Sequence, residues 1–484
     1  MERRTKIICT LGPASKSPEA IGALVAAGMD VARINFTHGA LDEHEERIER
    51  VREASRSAGR PVAILADLPG PKIRIGELPE PVRLQPGDAF SLMESDGPGD
   101  AHRVHLPSVE VFRSVHVGDS LFIDDGLIEL QIVEMLPGEI RTQVLSGGQL
   151  SSHKGLAAPG VRLDTPSLTD ADRVALAFIV SHDIDWVAAS FVRAPEDVLA
   201  VREVLETAGR PLPIIAKIEK SEAVEQLEGV LDASDGLMVA RGDLGVEVPI
   251  YQVPLLQKRI ISMCNAAGKP AITATQMLDS MIRNPRPTRA EVTDVANAVL
   301  DGADCVMLSG ETAVGLHPVE AVRLMRQIVR EAEGALDPDR FIGMLTPSEA
   351  ERVTDSISLA TCRIASELNA AAILTATSSG HTARMVSRHR PRTPIIGVAS
   401  DPRIYNRLAL MWGVRPVLTP GAANTDETLE RAVGVALANG FVKPGDLVVI
   451  TAGVPTGIAG NTNLIKVHRV GQPMVDRRRT DPGA

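Results

Sequence analysis

Short apolar runs alternate with helix-like stretches through the first two-thirds of this chain. Eight runs of six or seven residues have the length and composition of buried strands: Lys6–Leu11, Val31–Phe36, Val62–Asp67, Trp186–Phe191, Pro213–Glu219, Gly236–Arg241, Pro270–Thr275 and Asp304–Ser309. Helical periodicity lies between them, as in Leu41–Ser57, Pro195–Ala208, Val253–Ala267 and Pro318–Glu333, and Ser17 and Thr288 stand where helices would begin. Eight strand-then-helix units predict a (β/α)₈ TIM barrel, with a doubly wound open sheet as the alternative.

Polar or glycine-rich sequence follows nearly every predicted strand, for example Gly12-Pro13-Ala14-Ser15 and Ser309-Gly310-Glu311-Thr312. In a closed barrel all these strand ends surround one mouth, where the active sites of this fold lie. In an open sheet only the ends near the switch point would meet. The barrel therefore explains the whole set of polar exits.

Two segments depart from this alternation. Residues 71–166 predict a small inserted β-barrel or sandwich that acts as a lid. Turn residues such as Pro86-Gly87-Asp88 separate its short alternating runs, which are Val82–Leu84, Ala89–Leu92, Ser120–Ile123 and Leu127–Val133. After the helix pattern Ser348–Leu368, a new α/β series predicts a C-terminal open-sheet domain. The predicted domains are the barrel (1–70 and 167–342), the β lid (71–166), the C-terminal α/β domain (343–472) and a tail (473–484).

Composition excludes several classes of protein. The 484 residues are too many for one compact core, and 62 acidic against 51 basic residues give a net charge of −11. That charge argues against a general affinity for nucleic acid or an anionic membrane. No run approaches eighteen consecutive apolar residues, and the first residues lack a signal pattern. The four widely spaced cysteines, each in an apolar run, predict buried reduced thiols and a cytoplasmic protein: Cys9, Cys264, Cys305 and Cys362.

Two strand ends carry the most informative chemistry. Lys217 and Glu219 are two residues apart, so they project from the same face at the end of one strand, and Asp243 follows a glycine at the end of the next. One ammonium and two carboxylates converging there suit a divalent metal that bridges a phosphate and a developing enolate. A strand-end salt bridge beside an ordinary turn is the alternative for either stretch alone.

The chain resembles the pyruvate kinase family from Lys6 to the end of the last α/β domain. The most specific stretches are 30–39 (DVARINFTHG), 238–245 (MVARGDLG), 274–278 (ATQML), 284–291 (NPRPTRAE) and 307–313 (MLSGETA). This resemblance implies phosphoryl transfer from phosphoenolpyruvate to ADP, the final step of glycolysis, giving pyruvate and ATP.

The resemblance also implies a role for each site residue. Glu219 and Asp243 would hold Mg²⁺ (or Mn²⁺), while Lys217 neutralises the phosphoryl oxygens in transit. The remaining positions are grouped by role: catalysis (Arg33, Thr275, Ser309, Glu311), substrate binding (Arg33, Ser190, Lys217, Gly242, Asp243, Thr275) and nucleotide binding (Arg74, Lys154, His38, Pro13). Without the resemblance, Arg33 and Ser190 would be read as ordinary strand-end contacts, Thr275 as a helix cap and Lys154 as a solvated loop lysine.

One position departs from the family pattern. Many relatives bind K⁺ with residues that match Asn35, Thr37, Asp67 and the carbonyl of Leu68, and these ligands are present. However, Lys72 stands where K⁺-dependent relatives have a glutamate. A fixed ammonium there would repel a bound cation and supply its charge. We therefore expect that K⁺ is not required, even if it binds; the alternative is that Lys72 turns to solvent.

The C-terminal domain carries a predicted control site. Residues 377–382, Thr377-Ser378-Ser379-Gly380-His381-Thr382, lie between a strand and a helix and resemble the phosphate loop of the family's effector domain; a simple capped helix is the alternative. The segment 451–457 lacks the Trp and Arg with which bisphosphate-regulated relatives hold a second phosphate. A phosphorylated small molecule with one phosphate is thus the expected effector, and the resemblance implies a homotetramer.

Two rival functions fit parts of the pattern. A metal-dependent carbon–carbon lyase or aldolase on the same barrel also stabilises enolates with Glu, Asp and a divalent ion, but it needs no nucleotide lid. A non-catalytic metabolite sensor would retain the effector domain, but it would have no need of Lys217, Glu219 and Asp243, all of which are present.

Overall fold

The computed structural model describes residues 3–337, 352–455 and 460–474. The predicted domain boundary at 342/343, the start of the helix Ser348–Leu368, residues 456 and 457, and the tail from 475 onward lie outside those ranges. The chain divides into two compact units. The first unit comprises residues 1–66, 182–187 and 259–484, and the second comprises residues 67–181 and 188–258.

Eight parallel strands form a closed barrel, which confirms the predicted fold. In chain order they are Lys6–Thr10, Val31–Asn35, Ala63–Asp67, Trp186–Ala189, Ile214–Ile218, Gly236–Ala240, Ala271–Ala274 and Cys305–Leu308. Each strand lies beside the next in the chain, and the last pairs with the first. Seven of the eight are buried along their whole length. A strand buried on both faces needs apolar residues on both, which is why these segments read as continuous apolar runs.

Most strands end one or two residues before the predicted end, because the polar residues that follow turn away from the sheet. Phe191 and Thr275 have positive φ values of 53° and 66°. Arg241 leaves its strand differently, since it begins the helix Arg241–Glu247 at once. Lys217 lies near the end of the strand Ile214–Ile218 and pairs with Met238 in the ladder, whereas Glu219 and Asp243 follow the ends of their strands.

The described part of the barrel segments contains eleven helices: Pro18–Ala27, Leu41–Ala58, Asp170–Ser181, Pro195–Thr207, Ser221–Glu225, Leu227–Ala233, Arg241–Glu247, Val253–Ala266, Arg289–Asp301, Gly310–Ala313 and Pro318–Gly334. Both predicted caps are confirmed. Ser17 accepts the Ala20 N–H at 3.2 Å. Thr288 accepts the Glu291 N–H at 3.3 Å while the Glu291 carboxylate accepts the Thr288 N–H at 2.6 Å, so two otherwise unmatched donors are satisfied reciprocally.

The inserted segment is a β domain with one short helix, Val109–Ser114. Its strands are Val82–Arg83, Ala89–Met93, Arg103–His105, Ser120–Ile123, Ile128–Leu136, Glu139–Ser146, Gln149–Leu150 and Leu156–Ala157. Six of them form one sheet and two form a separate pair. Leu84 and Leu150, next to or within the pair, share a core with Phe90 and Leu130 of the larger sheet. This shared core makes the insertion a folded domain rather than a loop.

The C-terminal segment is an open-sheet α/β domain, as predicted. Its strands are Ala372–Ala376, Ile395–Ala399, Val414–Leu418, Leu447–Ala452 and Leu464–Arg469, and its helices are Arg352–Glu367, His381–Ser387, Pro402–Arg407 and Thr425–Ala438. The first four strands pair in parallel, and the last pairs antiparallel with Leu447–Ala452 at one edge.

A buried polar junction joins the C-terminal domain to barrel strands within the first unit. The Arg390 guanidinium lies 2.9 Å from Asp304 Oδ1 and 2.8 Å from Asn265 Oδ1. Asp304 Oδ2 in turn accepts the Ala271 N–H at 2.9 Å. Asp304 and Ala271 stand at the start of the two strands that lead to Ser309 and Thr275, so the junction anchors those strands at their opposite ends.

The four cysteines are buried thiols, as predicted. Within the described ranges, no helix combines the length and the apolar character needed to cross a membrane.

Candidate active site

Lys217 lies at the centre of a buried polar cluster in the second unit. Its ammonium is 2.9 Å from Glu219 Oε1 and 3.4 Å from Asp67 Oδ1, and it donates to Ser190 Oγ at 2.8 Å. The lysine side chain is 11% exposed and both carboxylates are 1% exposed. Ser190 Oγ also lies 2.7 Å from the carbonyl oxygen of Leu68. The structure therefore brings these predicted substrate and cation ligands together around one ammonium.

The Glu219 carboxylate is held from two sides. Oε1 pairs with Lys217, and Oε2 accepts the backbone N–H of Phe191 at 2.6 Å. Burial raises the pKa of Glu219, the Lys217 ammonium opposes that rise, and the negative charge of Asp243 adds to it. Glu219 and Asp243 are thus close enough to repel each other, and repulsion between two acids is what a cation placed between them would relieve.

Asp243 has its own cationic partner. Its Oδ1 is 2.9 Å from the Lys72 ammonium, and the two side chains are 28% and 27% exposed. Asp243 lies in the first turn of the helix Arg241–Glu247, immediately after Gly242. Lys72 therefore reaches a carboxylate rather than solvent, in contrast to the alternative considered for it from the sequence.

The donor set fits a magnesium or manganese ion that has few protein ligands and completes its coordination with water and substrate oxygens. Among the described residues, no group of three or more His, Cys, Asp or Glu side chains is arranged to hold a metal. Two carboxylates are present, and Mg²⁺ is commonly bound by one or two carboxylates together with water and substrate phosphate oxygens. Glu219 and Asp243 would supply the protein ligands of such an ion.

The inserted domain contributes charged residues near a small cavity of about 50 Å³, whose lining includes Lys72, Glu219 and Asp243. The predicted nucleotide residues Arg74 and Lys154 lie in two segments that pair like strands, with the Ile75 N–H donating to the Lys154 carbonyl at 3.0 Å. Arg74 donates to the His153 carbonyl at 3.0 Å. Lys154 pairs with Asp124 at 2.8 Å. Both cations are thus bonded within the insertion.

The remaining barrel residues lie in the first unit. Arg33 donates to Thr10 Oγ1 at 2.9 Å, and Asn35 Oδ1 accepts the Thr37 N–H at 3.1 Å. His38 lies in the turn that follows Val31–Asn35, and Pro13 begins the short 3₁₀ helix Pro13–Ser15. Arg33 and Asn35 are therefore held by neighbouring side chains and backbone at the end of their strand.

Glu311 ties together the ends of two adjacent strands. Its Oε1 accepts the Leu278 N–H at 3.0 Å and its Oε2 accepts the Ser309 N–H at 2.7 Å. Burial raises the pKa of Glu311, and these backbone N–H groups oppose the rise. The Ser309 hydroxyl is buried without a hydrogen-bond partner among the described residues. Thr275 donates to the Ala274 carbonyl at 2.6 Å.

The predicted effector loop borders a cavity of about 350 Å³ in the C-terminal domain. Five of its six residues line that cavity, namely Thr377, Ser378, Ser379, His381 and Thr382. The loop is internally braced, since Thr377 Oγ1 accepts the Gly380 N–H at 2.8 Å. Burial, with Arg384 nearby, lowers the pKa of His381 to about 4, so that ring is neutral at pH 7.

A closed barrel with charged side chains at its strand ends, an inserted β domain and an appended α/β domain together define a multidomain barrel enzyme. A family model described as the pyruvate kinase barrel domain matches residues 2–322. A second, described as the pyruvate kinase alpha/beta domain, matches residues 355–468. The chain therefore belongs to the pyruvate kinase family.

Curated relatives agree with that assignment. The pyruvate kinase of Geobacillus stearothermophilus is 49% identical over 472 residues, which cover 97% of this chain and 80% of that protein. The pyruvate kinase of Clostridium acetobutylicum is 45% identical over 471 residues, covering 97% and 100%. The pyruvate kinase of a Staphylococcus aureus strain is 44% identical over 477 residues, covering 98% and 82%.

Three contacts of the site could not be found from sequence. The Phe191 N–H donates to Glu219, and Phe191 has a positive φ. No sequence motif predicts that backbone conformation. Asp124, the partner of Lys154, lies in an irregular turn of the insertion. Arg431 reaches the C-terminal cavity from the helix Thr425–Ala438, whose sequence reads as an ordinary amphipathic helix.

Proposed function

We propose that this protein transfers the phosphoryl group of phosphoenolpyruvate to ADP, giving pyruvate and ATP, with Mg²⁺ or Mn²⁺ held by Glu219 and Asp243. In this reaction the bond from phosphorus to the enol oxygen breaks and a bond to the terminal ADP oxygen forms. The enolate left behind takes a proton at carbon. The observation that carries the proposal is the Lys217 cluster, in a chain of the pyruvate kinase family.

Glu219 and Asp243 would hold the divalent ion, which would supply Lewis-acid stabilisation of the negative charge that develops on the leaving group. Lys217 neutralises the phosphoryl oxygens while the group is in transit, because charge spreads over those oxygens in the transition state. Its present partners, Ser190 and Glu219, hold the ammonium at a defined place. Arg33 acts as a further cation for the phosphoryl group, with a planar donor set that matches its oxygens.

Substrate binding and protonation are assigned to strand-end residues. The backbone at Gly242 and Asp243, helped by Thr275, binds the carboxylate of the substrate. Thr275, Ser309 and Glu311 carry the proton to the enolate carbon through water. The raised pKa of Glu311 supports this role, because an acid whose pKa lies nearer neutrality transfers a proton more readily at working pH.

The nucleotide is assigned to Arg74 and Lys154 of the insertion together with Pro13 and His38. Arg74 and Lys154 would exchange their bonds within the insertion for bonds to the ADP phosphates. A lid that binds a nucleotide favours this function over that of a metal-dependent lyase or aldolase, because those enzymes bind no nucleotide. We also propose that the protein is cytoplasmic and assembles as a homotetramer.

K⁺ is proposed to be dispensable, although Asn35, Thr37, Asp67 and Leu68 match the positions with which relatives bind it. The support is the positive charge of Lys72, whose ammonium pairs with Asp243 in the candidate site. Activity should therefore be equal in KCl and in tetramethylammonium chloride at matched ionic strength. Specific many-fold activation by K⁺ would contradict the proposal.

The cavity beside residues 377–382 is proposed to bind a phosphorylated metabolite with one phosphate, such as a sugar phosphate or AMP, that regulates the enzyme. The presence of Thr377, Ser378, Ser379 and Thr382, together with Arg431, among the lining residues supports it. An activation screen should give a response to a monophosphate. A response to fructose-1,6-bisphosphate alone would overturn the assignment.

The function is tested by coupling pyruvate formation to lactate dehydrogenase with phosphoenolpyruvate, ADP and MgCl₂. The wild-type protein should form pyruvate only when ADP and Mg²⁺ are both present. Lys217→Met should reduce kcat by at least about 100-fold, since it removes a charge that acts on the transition state. Lys443→Met, a substitution at an exposed lysine of the C-terminal domain, is the control. Full turnover by Lys217→Met, or ADP-independent pyruvate formation, would contradict the function.

A further inference from the structure

Each carboxylate of the proposed metal site is already matched by one ammonium. Glu219 pairs with Lys217 at 2.9 Å, and Asp243 pairs with Lys72 at 2.9 Å. The first pair is almost completely buried, while the second is about one-quarter exposed. The two acids thus differ in how easily their partner can be exchanged, and Asp243 is the more accessible of the two.

Lys72 is confined to this position by its surroundings. Its ammonium lies 5.8 Å from the centre of the Phe191 ring. Its chain passes so close to Gly155 that a Cβ at that position would lie 2.9 Å from Lys72 Cε. An ammonium above an aromatic face gains further attraction from the ring. Packing on two sides therefore holds the lysine against Asp243.

A divalent ion that binds Asp243 must meet this ammonium. Two cations cannot share one carboxylate oxygen at short range without strong repulsion, so the lysine has to leave or the ion has to bind more weakly. Glu219 alone cannot compensate, because its two oxygens are engaged by Lys217 and by the Phe191 N–H.

We propose that Lys72 is a built-in competitor of the divalent metal at Asp243, and that an anionic substrate relieves the competition by taking the displaced ammonium. This inference rests on the proposed function and assigns Lys72 as a positioning residue for the metal. The metal alone binds weakly, and it binds more tightly once phosphoenolpyruvate is present. Metal and substrate are coupled through one lysine, with the reciprocity that linkage requires.

The test measures Mn²⁺ binding directly, by the electron paramagnetic resonance signal of unbound Mn²⁺, without turnover. Lys72→Met should tighten the binding of MnCl₂ alone by about tenfold. It should also shrink the ratio of the Mn²⁺ dissociation constants measured without and with phosphoenolpyruvate. Arg162→Gln is the matched control, since it removes one positive charge from an exposed pair of the same unit. Glu219→Gln identifies the signal from this site.

Mn²⁺ affinity of Lys72→Met that equals wild type, or is weaker, would overturn the proposal, as would failure of either protein to bind Mn²⁺ at the Glu219 site. Tighter binding matched by Arg162→Gln would also overturn it, because the effect would then be one of net charge. The two ideas fail separately. A wild-type protein that makes pyruvate from phosphoenolpyruvate while Lys72→Met leaves Mn²⁺ binding unchanged refutes only the role of Lys72.

Discussion

Replacement of Arg390 by methionine is expected to destabilise the protein by about 3–5 kcal/mol, the usual cost of breaking a buried ion pair. The Arg390 and Asp304 side chains are 2% and 7% exposed, and the guanidinium lies 2.9 Å from the carboxylate. The same guanidinium donates to the Gly302 carbonyl at 2.7 Å and lies over the Trp412 ring at 4.8 Å. Its removal takes away the cation that faces this buried carboxylate.

Equilibrium urea unfolding followed by circular dichroism measures this cost. Circular dichroism is preferable to fluorescence, because Trp412 contacts the substituted residue. Large chains often unfold in more than one step, so the free energy is taken from the transition that Arg390→Met shifts. Arg403→Met is the control, since Arg403 is 71% exposed and pairs with Asp401 at the surface, and its effect should be small.

A double variant sharpens the test. Asp304→Asn removes the stranded charge yet keeps an oxygen for the Ala271 N–H, which Asp304 accepts at 2.9 Å. Arg390→Met combined with Asp304→Asn should therefore be more stable than Arg390→Met alone, by about 1 kcal/mol or more. The reasoning is refuted if Arg390→Met costs no more than Arg403→Met, or if the second substitution adds its full cost to the first.

Acid should weaken the fold through His389, because burial and the nearby Arg388 lower its pKa from 6.5 to about 3. Below pH 6.5 the His389 ring is protonated in the unfolded chain but stays neutral in the folded protein. The free energy of unfolding therefore falls as the pH drops towards 3. Between pH 7 and pH 5 the free energy of unfolding should fall by about 2 kcal/mol more for the wild type than for His389→Leu. Equal decreases for the two proteins, measured by urea unfolding, would contradict this. Gly12→Ala should reduce activity and thermal stability, because its Cβ would lie 2.6 Å from the Ala313 carbonyl oxygen, a backbone atom. Gly22→Ala, with no neighbour within 4 Å, is the control and should be neutral or stabilising in the same thermal and coupled assays.

The barrel could be predicted from sequence because strands buried on both faces must be apolar throughout, while their exits must be polar. The three central strands of the C-terminal sheet, Ala372–Ala376, Ile395–Ala399 and Leu447–Ala452, follow the same rule. The insertion was harder. Glu139–Ser146 and Arg103–His105 have one solvated face, so their alternating polar residues resemble loop sequence, and neither strand was predicted.

The sequence predicted that Lys217 and Glu219 lie together, but it did not predict most of the bonds that the site residues make. Lys217 lies in the strand Ile214–Ile218 and Glu219 follows it directly, so extended backbone brings both side chains to one face, and their 2.9 Å contact follows from local geometry. The pairing of Lys72 with Asp243 joins residues 171 positions apart and depends on the path of the insertion. The pattern of apolar and polar residues along a short segment cannot predict a contact between residues so far apart in the chain.

The central claim is that Glu219 and Asp243 hold one divalent ion beside Lys217. Anomalous X-ray scattering from crystals grown with MnCl₂ and phosphoenolpyruvate tests it most directly. We expect a manganese peak within coordination distance of one carboxylate oxygen from each acid, with Lys72 moved away from Asp243. A manganese peak elsewhere, or Glu219 and Asp243 turned from a common ion while substrate is bound, would contradict it.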